Sequence, residues 1–239
     1  MTTAKTANMP RETAAGHGAQ KLRILALHGF SQDAQLFRDR IGSMRKALKS
    51  RAEFLFVDAP FKASDLSRAI PASGNAPSTG RSWWTWCDSD RPSKSLEYSG
   101  WETSLNCIRE AVYRNQPVDG ILGFSQGATA AALYLADSAS DPSGPWFSVL
   151  VGGFLPRDDR FATSIRQADL SLPSLHVYGA TDEKVPPRSS RALLDLFGEE
   201  HAQSFEHPGG HYVPTCTGEF KQVLTGYLDR VRESHGPPR

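Results

Sequence analysis

The stretch DGILGFSQGATAAALYLA, residues 119–136, decides how the rest of this chain is read. The run Ile121-Leu122-Gly123-Phe124 reads as a buried strand, and the alanine-rich segment after Ser125 reads as a helix able to lie close against a sheet. Between the two the chain must reverse within a residue or two, which leaves Ser125 in a strained backbone conformation with its hydroxyl on display. Gly123 and Gly127 suit this turn because larger side chains there would collide as helix and strand approach. A serine so placed is the expected setting of an activated nucleophile, and the remaining sequence has to supply its partners.

Working outward, the two periods alternate. LRILAL (22–27) reads as a strand buried on both faces, and DAQLFRDRIGSMRKALK (33–49) as an amphipathic helix with Leu36, Phe37, Ile41, Met44 and Leu48 on its apolar face. EFLFVDAP (53–60) is a second strand closed by Pro60. WETSLNCIREAVYRN (101–115) is a helix carrying Trp101, Leu105, Ile108 and Val112. FSVLVGGF, LPSLHVYGA and AQSFEH read as later strands, PRSSRALLDLF and EFKQVLTGYLDRVRE as later helices. About six strands alternating with helices predict an α/β fold, a mainly parallel sheet flanked by helices on both faces, with sites at the carboxyl ends of its strands.

At 239 residues and 39% hydrophobic, the chain can bury one sizeable core, so one domain is expected over 21–233. Residues 1–20, small and polar, read as a disordered tail, and 234–239 as a flexible end. With 27 basic against 26 acidic residues, scattered along the chain, no long-range field would draw in a nucleic acid or an anionic membrane. No segment approaches the ~20 apolar residues of a membrane span. Three cysteines, Cys87, Cys107 and Cys216, are too few and too scattered for a disulfide framework or a zinc cluster, and no metal is expected. A soluble protein of a reducing, cytoplasmic compartment with a small-molecule partner is the expectation.

The interval 61–100 departs from this regularity. It is rich in Ser, Pro and Gly, yet it holds Trp83, Trp84 and Trp86. Long irregular intervals of compact domains are often covers over a site. The tryptophans favour a cover that uses them to wall an acyl pocket over a loop they merely pin to the domain, although the two can both hold.

A serine hydroxyl needs an adjacent base, itself oriented by a carboxylate, and on such a sheet the chain order is Ser, then Asp or Glu, then His. Asp182 in LHVYGATDEKVPP and His211 in FEHPGGHYVP stand on loops past strand ends. Glu183 is a neighbour expected to point elsewhere, and Asp119 sits at the wrong end of its strand. His207 rivals His211, with the Pro-Gly-Gly hinge favouring the latter; His176 lies within a strand and reads as a core residue. The backbone N–H groups of Gln126 and Phe30 are the candidate donors for a developing oxyanion. His28 would brace the loop carrying Phe30.

LALHGFSQD, DGILGFSQGA, LPSLHVYGATDEKVP and HPGGHYVP, in that order and together with GRSWW, resemble the eukaryotic family of serine hydrolases over nearly all of the chain from Lys21 to Val231. The resemblance implies an α/β-hydrolase fold, a Ser125–Asp182–His211 triad, and hydrolysis of carboxylic esters or thioesters with no cofactor. It is nearest the esterase branch, which implies medium- to long-chain acyl esters. Phe30, Trp83, Trp84, Phe154 and Leu155 are the candidate pocket walls. A thioesterase would use the same residues, and a non-catalytic ligand receptor on this fold is the third reading, opposed by retention of all three triad residues.

Overall fold

The structure, a computed structural model, describes residues 20–66, 80–90, 92–139 and 141–235. Except for Gln20, Ser234 and His235, the expected tail and flexible end lie outside the described residues, as do 67–79 and Arg91 of the irregular interval.

The centre is one six-stranded sheet. In chain order its strands are β1 (Leu22–Leu27), β2 (Ala52–Val57), β5 (Gly120–Phe124), β6 (Phe147–Val151), β7 (Ser174–Gly179) and β8 (Ala202–His207). In space they run β2-β1-β5-β6-β7-β8, every pair parallel. A parallel sheet must hide both faces, and the strand residues alternate accordingly. Leu25, Leu27, Ile121 and Leu150 belong to the core on one face, Ile24, Ala26, Leu122 and Val149 to the core on the other.

The first face is covered by α3 (Trp101–Arg114), α4 (Gln126–Asp137), α5 (Asp159–Gln167) and α6 (Pro187–Leu194), and the second by α1 (Ala34–Arg40), α2 (Gly42–Ala47) and α7 (Gly218–His235). The alanines of α4 let it press against the sheet, and Ala128, Ala130, Ala131 and Ala132 are fully buried.

The structure differs from the expectations in three places. The single helix expected after Asp33 breaks at Ile41, whose φ of −92° and ψ of 20° leave the helical region immediately before Gly42, a poor helix former. Phe37, Ile41, Met44 and Leu48 still reach the core, whereas Leu36 is exposed. Next, α5 was not anticipated: it is short and mostly polar, and only Ala162 and Ile165 of its residues are buried, although Asp158 caps it by accepting the Arg160 N–H at 3.1 Å. Third, α7 continues through His235, past the expected boundary at 233.

The described part of the irregular interval is folded. A short hairpin pairs β3 (Phe61–Lys62) with β4 (Arg81–Ser82), and Thr85 bridges Ser99. Tyr98 stacks on Trp84 at 4.8 Å, and its N–H donates to Asp158 Oδ2 at 2.7 Å. These contacts carry the chain from the carboxyl end of β2 across to α5.

Candidate active site

Ser125 stands between β5 and α4 with φ 55° and ψ −119°, a left-handed conformation that costs a non-glycine residue of order 1–3 kcal/mol. The surroundings impose it. The Ser125 N–H donates to Val151 O at 2.8 Å, and the flanking glycines admit no side chain. A Cβ on Gly123 would lie 2.4 Å from Ala128 Cα, and one on Gly127 would lie 2.3 Å from Leu27 O.

The loops after β7 and β8 bring the other expected residues to this point. His211 Nε2 lies 2.7 Å from Ser125 Oγ, and its Nδ1 lies 2.6 Å from Asp182 Oδ2. A carboxylate only accepts, so Nδ1 carries the proton and donates to Asp182, leaving the Nε2 lone pair to accept from the Ser125 hydroxyl. The other carboxylate oxygen, Oδ1, accepts the N–H groups of Val185 at 2.8 Å and Lys184 at 2.9 Å. Burial by itself would raise the Asp182 carboxyl, but the bond from His211 and the two backbone donors outweigh it and hold the group below the usual carboxylate range. At neutral pH Asp182 is therefore an anion fixed at both oxygens.

The rivals fall elsewhere. His207 Nδ1 accepts the Gly209 N–H at 3.2 Å and its ring packs on Tyr212, so it shapes the loop that presents His211. Asp119 accepts the Arg23 N–H at 2.7 Å at the amino end of β5, across the sheet from Ser125. Glu183 lines the same cavity as Ser125, while the carboxylate that accepts from the imidazole belongs to Asp182. His176 is enclosed in β7, and burial depresses its pKa to about 3. His28 braces the first loop as expected: Nδ1–H donates to Gly29 O at 2.8 Å, and Nε2 accepts the Ala59 N–H at 3.0 Å.

Gln126 opens α4, so its N–H belongs to the first turn, where no intrahelical carbonyl is available, and it follows Ser125 directly. Phe30 lies in the turn after β1, between Gly29 and Ser31, and lines the same cavity as Ser125. The cavity has a volume of about 700 Å3 and opens at the carboxyl ends of the strands.

Its apolar wall consists of Phe30, Phe124, Phe154 and Val185. Of the five aromatic and aliphatic residues expected there, Phe30 and Phe154 are present, while Trp83, Trp84 and Leu155 are not part of the lining. Both tryptophans are 0% exposed. Trp84 is enclosed by Tyr98, Trp101 and Phe154, and Trp83 donates its indole N–H to His28 O at 2.8 Å. They pin the interval to the core, because a ring with so much apolar surface gains more from complete burial than from facing an open cleft. Phe124 and Val185 escaped sequence reasoning, although their positions, next to Ser125 and three after Asp182, carried the signal. The lining also holds Arg40 from the end of α1, Asp90 from the irregular interval, and Glu183 and Lys184 from the loop after β7, which only folding unites.

Comparison with known proteins gives the family. The profile of the family described as serine hydrolase (FSH1) matches residues 18–223. The chain is 39% identical over 224 residues to Esterase OVCA2 of Homo sapiens, covering 89% of this chain and 97% of that protein. It is 35% identical over 219 residues to Esterase CG5412 of Drosophila melanogaster, covering 90% and 76% respectively. Among solved structures, esterase PE8 superposes with a TM-score of 0.63 at 22% identity, covering 89% of this chain and 94% of that one. Zea mays acyl-protein thioesterase 2 superposes with a TM-score of 0.59 at 18% identity, covering 90% and 97%. At such identities these structures speak for the α/β-hydrolase fold, while the profile and the sequence relatives speak for the kind of enzyme. The chain belongs to the serine hydrolase (FSH1) family, as an esterase-type serine hydrolase.

Proposed function

We propose that this protein hydrolyses carboxylic esters of medium- to long-chain acyl groups through an acyl-enzyme intermediate, with Ser125 as nucleophile, His211 as general base and acid, and Asp182 as the orienting carboxylate. The observation that carries the reading is the unbroken run of hydrogen bonds from Asp182 Oδ2 through His211 to Ser125 Oγ, at 2.6 and 2.7 Å. As Oγ attacks the ester carbonyl, its proton passes to Nε2, and the resulting imidazolium is stabilised by the Asp182 carboxylate. The carbonyl oxygen, now an anion, is received by the N–H groups of Gln126 and Phe30. Collapse returns the proton from Nε2 to the departing alkoxide, which leaves as an alcohol. Water then gives a proton to Nε2 and attacks the acyl-serine, and the acid departs as the proton returns to Oγ.

The apolar side chains of Phe30, Phe124, Phe154 and Val185 beside Ser125 favour an acyl chain over a small polar group. Asp90, Pro92 and Ser93 bring the irregular interval to the cavity wall, in keeping with a cover over 61–100. No helix among the described residues is long and apolar enough to cross a membrane. The reading of a cytoplasmic enzyme acting on a small-molecule ester rests on the free thiols of Cys87, Cys107 and Cys216.

The test is a series of p-nitrophenyl esters from acetyl to palmitoyl, assayed beside the matched acyl-CoA thioesters. Expected is a kcat/KM that rises beyond the acetyl ester, favours the oxygen esters and vanishes in Ser125→Ala. A preference for acetyl would refute the acyl-chain assignment, a preference for the thioesters the ester assignment, and full activity in Ser125→Ala the mechanism.

A further inference from the structure

The side chain of Gln126 takes no part in the steps above, yet it is completely buried and fully bonded. Its Oε1 accepts the Trp83 N–H at 3.0 Å, and its Nε2 donates to Ser82 Oγ at 3.0 Å. The Ser82 hydroxyl in turn donates to Trp84 O at 2.5 Å. One amide at the first residue of α4 therefore holds three successive residues of GRSWW.

That segment in turn holds the turn carrying Phe30. Arg81 O accepts the Ser31 N–H at 2.9 Å, and the Arg81 N–H donates to Gln32 O at 2.6 Å. Trp83 reaches the other end of the turn through its bond to His28 O. Ser31 itself has φ 59°, a left-handed conformation that a serine keeps only where its surroundings enforce it. The contact is so close that a Cβ on Gly80 would lie 2.3 Å from Ser31 C and O, which explains glycine at the head of GRSWW.

We propose that the Gln126 side chain, acting through Ser82 and Trp83, is the positioning group of the oxyanion hole. The backbone N–H of Gln126 is one donor, and its side-chain amide sets the place of the other, Phe30 N–H, so the spacing of the two is referred to a single residue. The inference rests on the reading that these two N–H groups receive the oxyanion. It assigns a role to GRSWW that neither the triad nor the cavity lining requires. It also explains why the tryptophan following Ser82 is buried rather than turned toward substrate.

The experiment compares wild type with Gln126→Met, which keeps the volume and removes both bonds, and with Ser82→Ala, a smaller change at the same clamp. Each is assayed on the preferred p-nitrophenyl ester for kcat and KM. Each is also titrated with an alkyl trifluoromethyl ketone, to which Ser125 Oγ adds while its proton moves to His211, leaving an oxyanion between the two N–H groups. A displacement of about 1 Å at a reacting centre costs about 100-fold. Expected is therefore a fall of that order in kcat for Gln126→Met, a matching fall in ketone affinity, an unchanged KM and an unchanged pH profile of kcat/KM. If Gln126→Met does not fold, Ser82→Ala decides alone, with both quantities falling together. A folded variant that keeps wild-type kcat and ketone affinity, or one that loses KM alone, overturns the proposal and leaves the triad reading intact. A wild-type enzyme insensitive to the ketone sinks the oxyanion reading itself, and the inference with it.

Discussion

Replacing Asp182 by Asn exchanges one oxygen for an NH2 group, and the surroundings dictate which one. Oδ1 accepts two backbone N–H groups, from Lys184 and Val185, and an amide nitrogen there would face two donors with two more. The amide oxygen must therefore keep that position, and the NH2 turns to His211 Nδ1 in place of the carboxylate oxygen now found at 2.6 Å. Nδ1 becomes an acceptor, the ring proton moves to Nε2, and Nε2–H points at Ser125 Oγ. The base is then in the wrong tautomer although no atom has moved far. Loss of this arrangement in a serine triad lowers kcat by about 10⁴, or about 5 kcal/mol of barrier. The packing is isosteric, so thermal stability should change little beside that loss. The assay is kcat/KM for a p-nitrophenyl ester across the pH range, with circular dichroism and a melting curve on the same preparation. An Asp182→Asn enzyme within about tenfold of wild type, a loss well short of the triad's usual cost, would show that Asp182 does not select the tautomer. A large fall in melting temperature would show that its role is structural instead.

Three other outcomes follow from the structure. Ser125→Gly should abolish hydrolysis yet raise stability by about 1 kcal/mol in urea unfolding, because glycine relieves the left-handed strain at φ 55°; equal or lower stability would contradict the strain argument. Trp84→Ala should cost about 3–5 kcal/mol of stability with KM for a short ester unchanged, since Trp84 is core and not cavity wall; a raised KM at unchanged stability would return it to the wall. Burial lowers His176 from 6.5 to about 3, so between those pH values the unfolded chain binds a proton that the folded one refuses, and stability falls as pH falls. His176→Leu should therefore gain about 2 kcal/mol relative to wild type between neutral pH and pH 5, measured by urea unfolding, and parallel curves would refute the assignment.

Much of the fold was legible because its signals are local. Strands such as LRILAL and GILGF are short apolar runs bounded by turn residues, and helices such as 101–114 repeat apolar residues at a helical period. That Ser125, Asp182 and His211 come together could be read for a related reason: each follows a strand, and the carboxyl ends of parallel strands lie along one rim. Where signals were weak, reading failed. The helix 159–167 is short and mostly polar, burying only Ala162 and Ile165, and Ile41 breaks a helix whose apolar spacing continues across the break.

The sequence by itself determined a doubly covered parallel sheet, a serine at a strained strand-to-helix turn, and an acid and a histidine on later loops. The Pro-Gly-Gly hinge already favoured His211 over His207; only the tertiary structure shows the contact itself, an imidazole 2.7 Å from Ser125 Oγ, because four residues of loop can carry a ring to either side. The tertiary structure also decided that Trp83 and Trp84 face the core, and that Gln126 reaches Ser82 and Trp83. An aromatic residue has the same composition signal on a pocket wall and in a core. Contacts between residues more than forty positions apart leave no periodic trace along the chain, since they are set by how the layers stack.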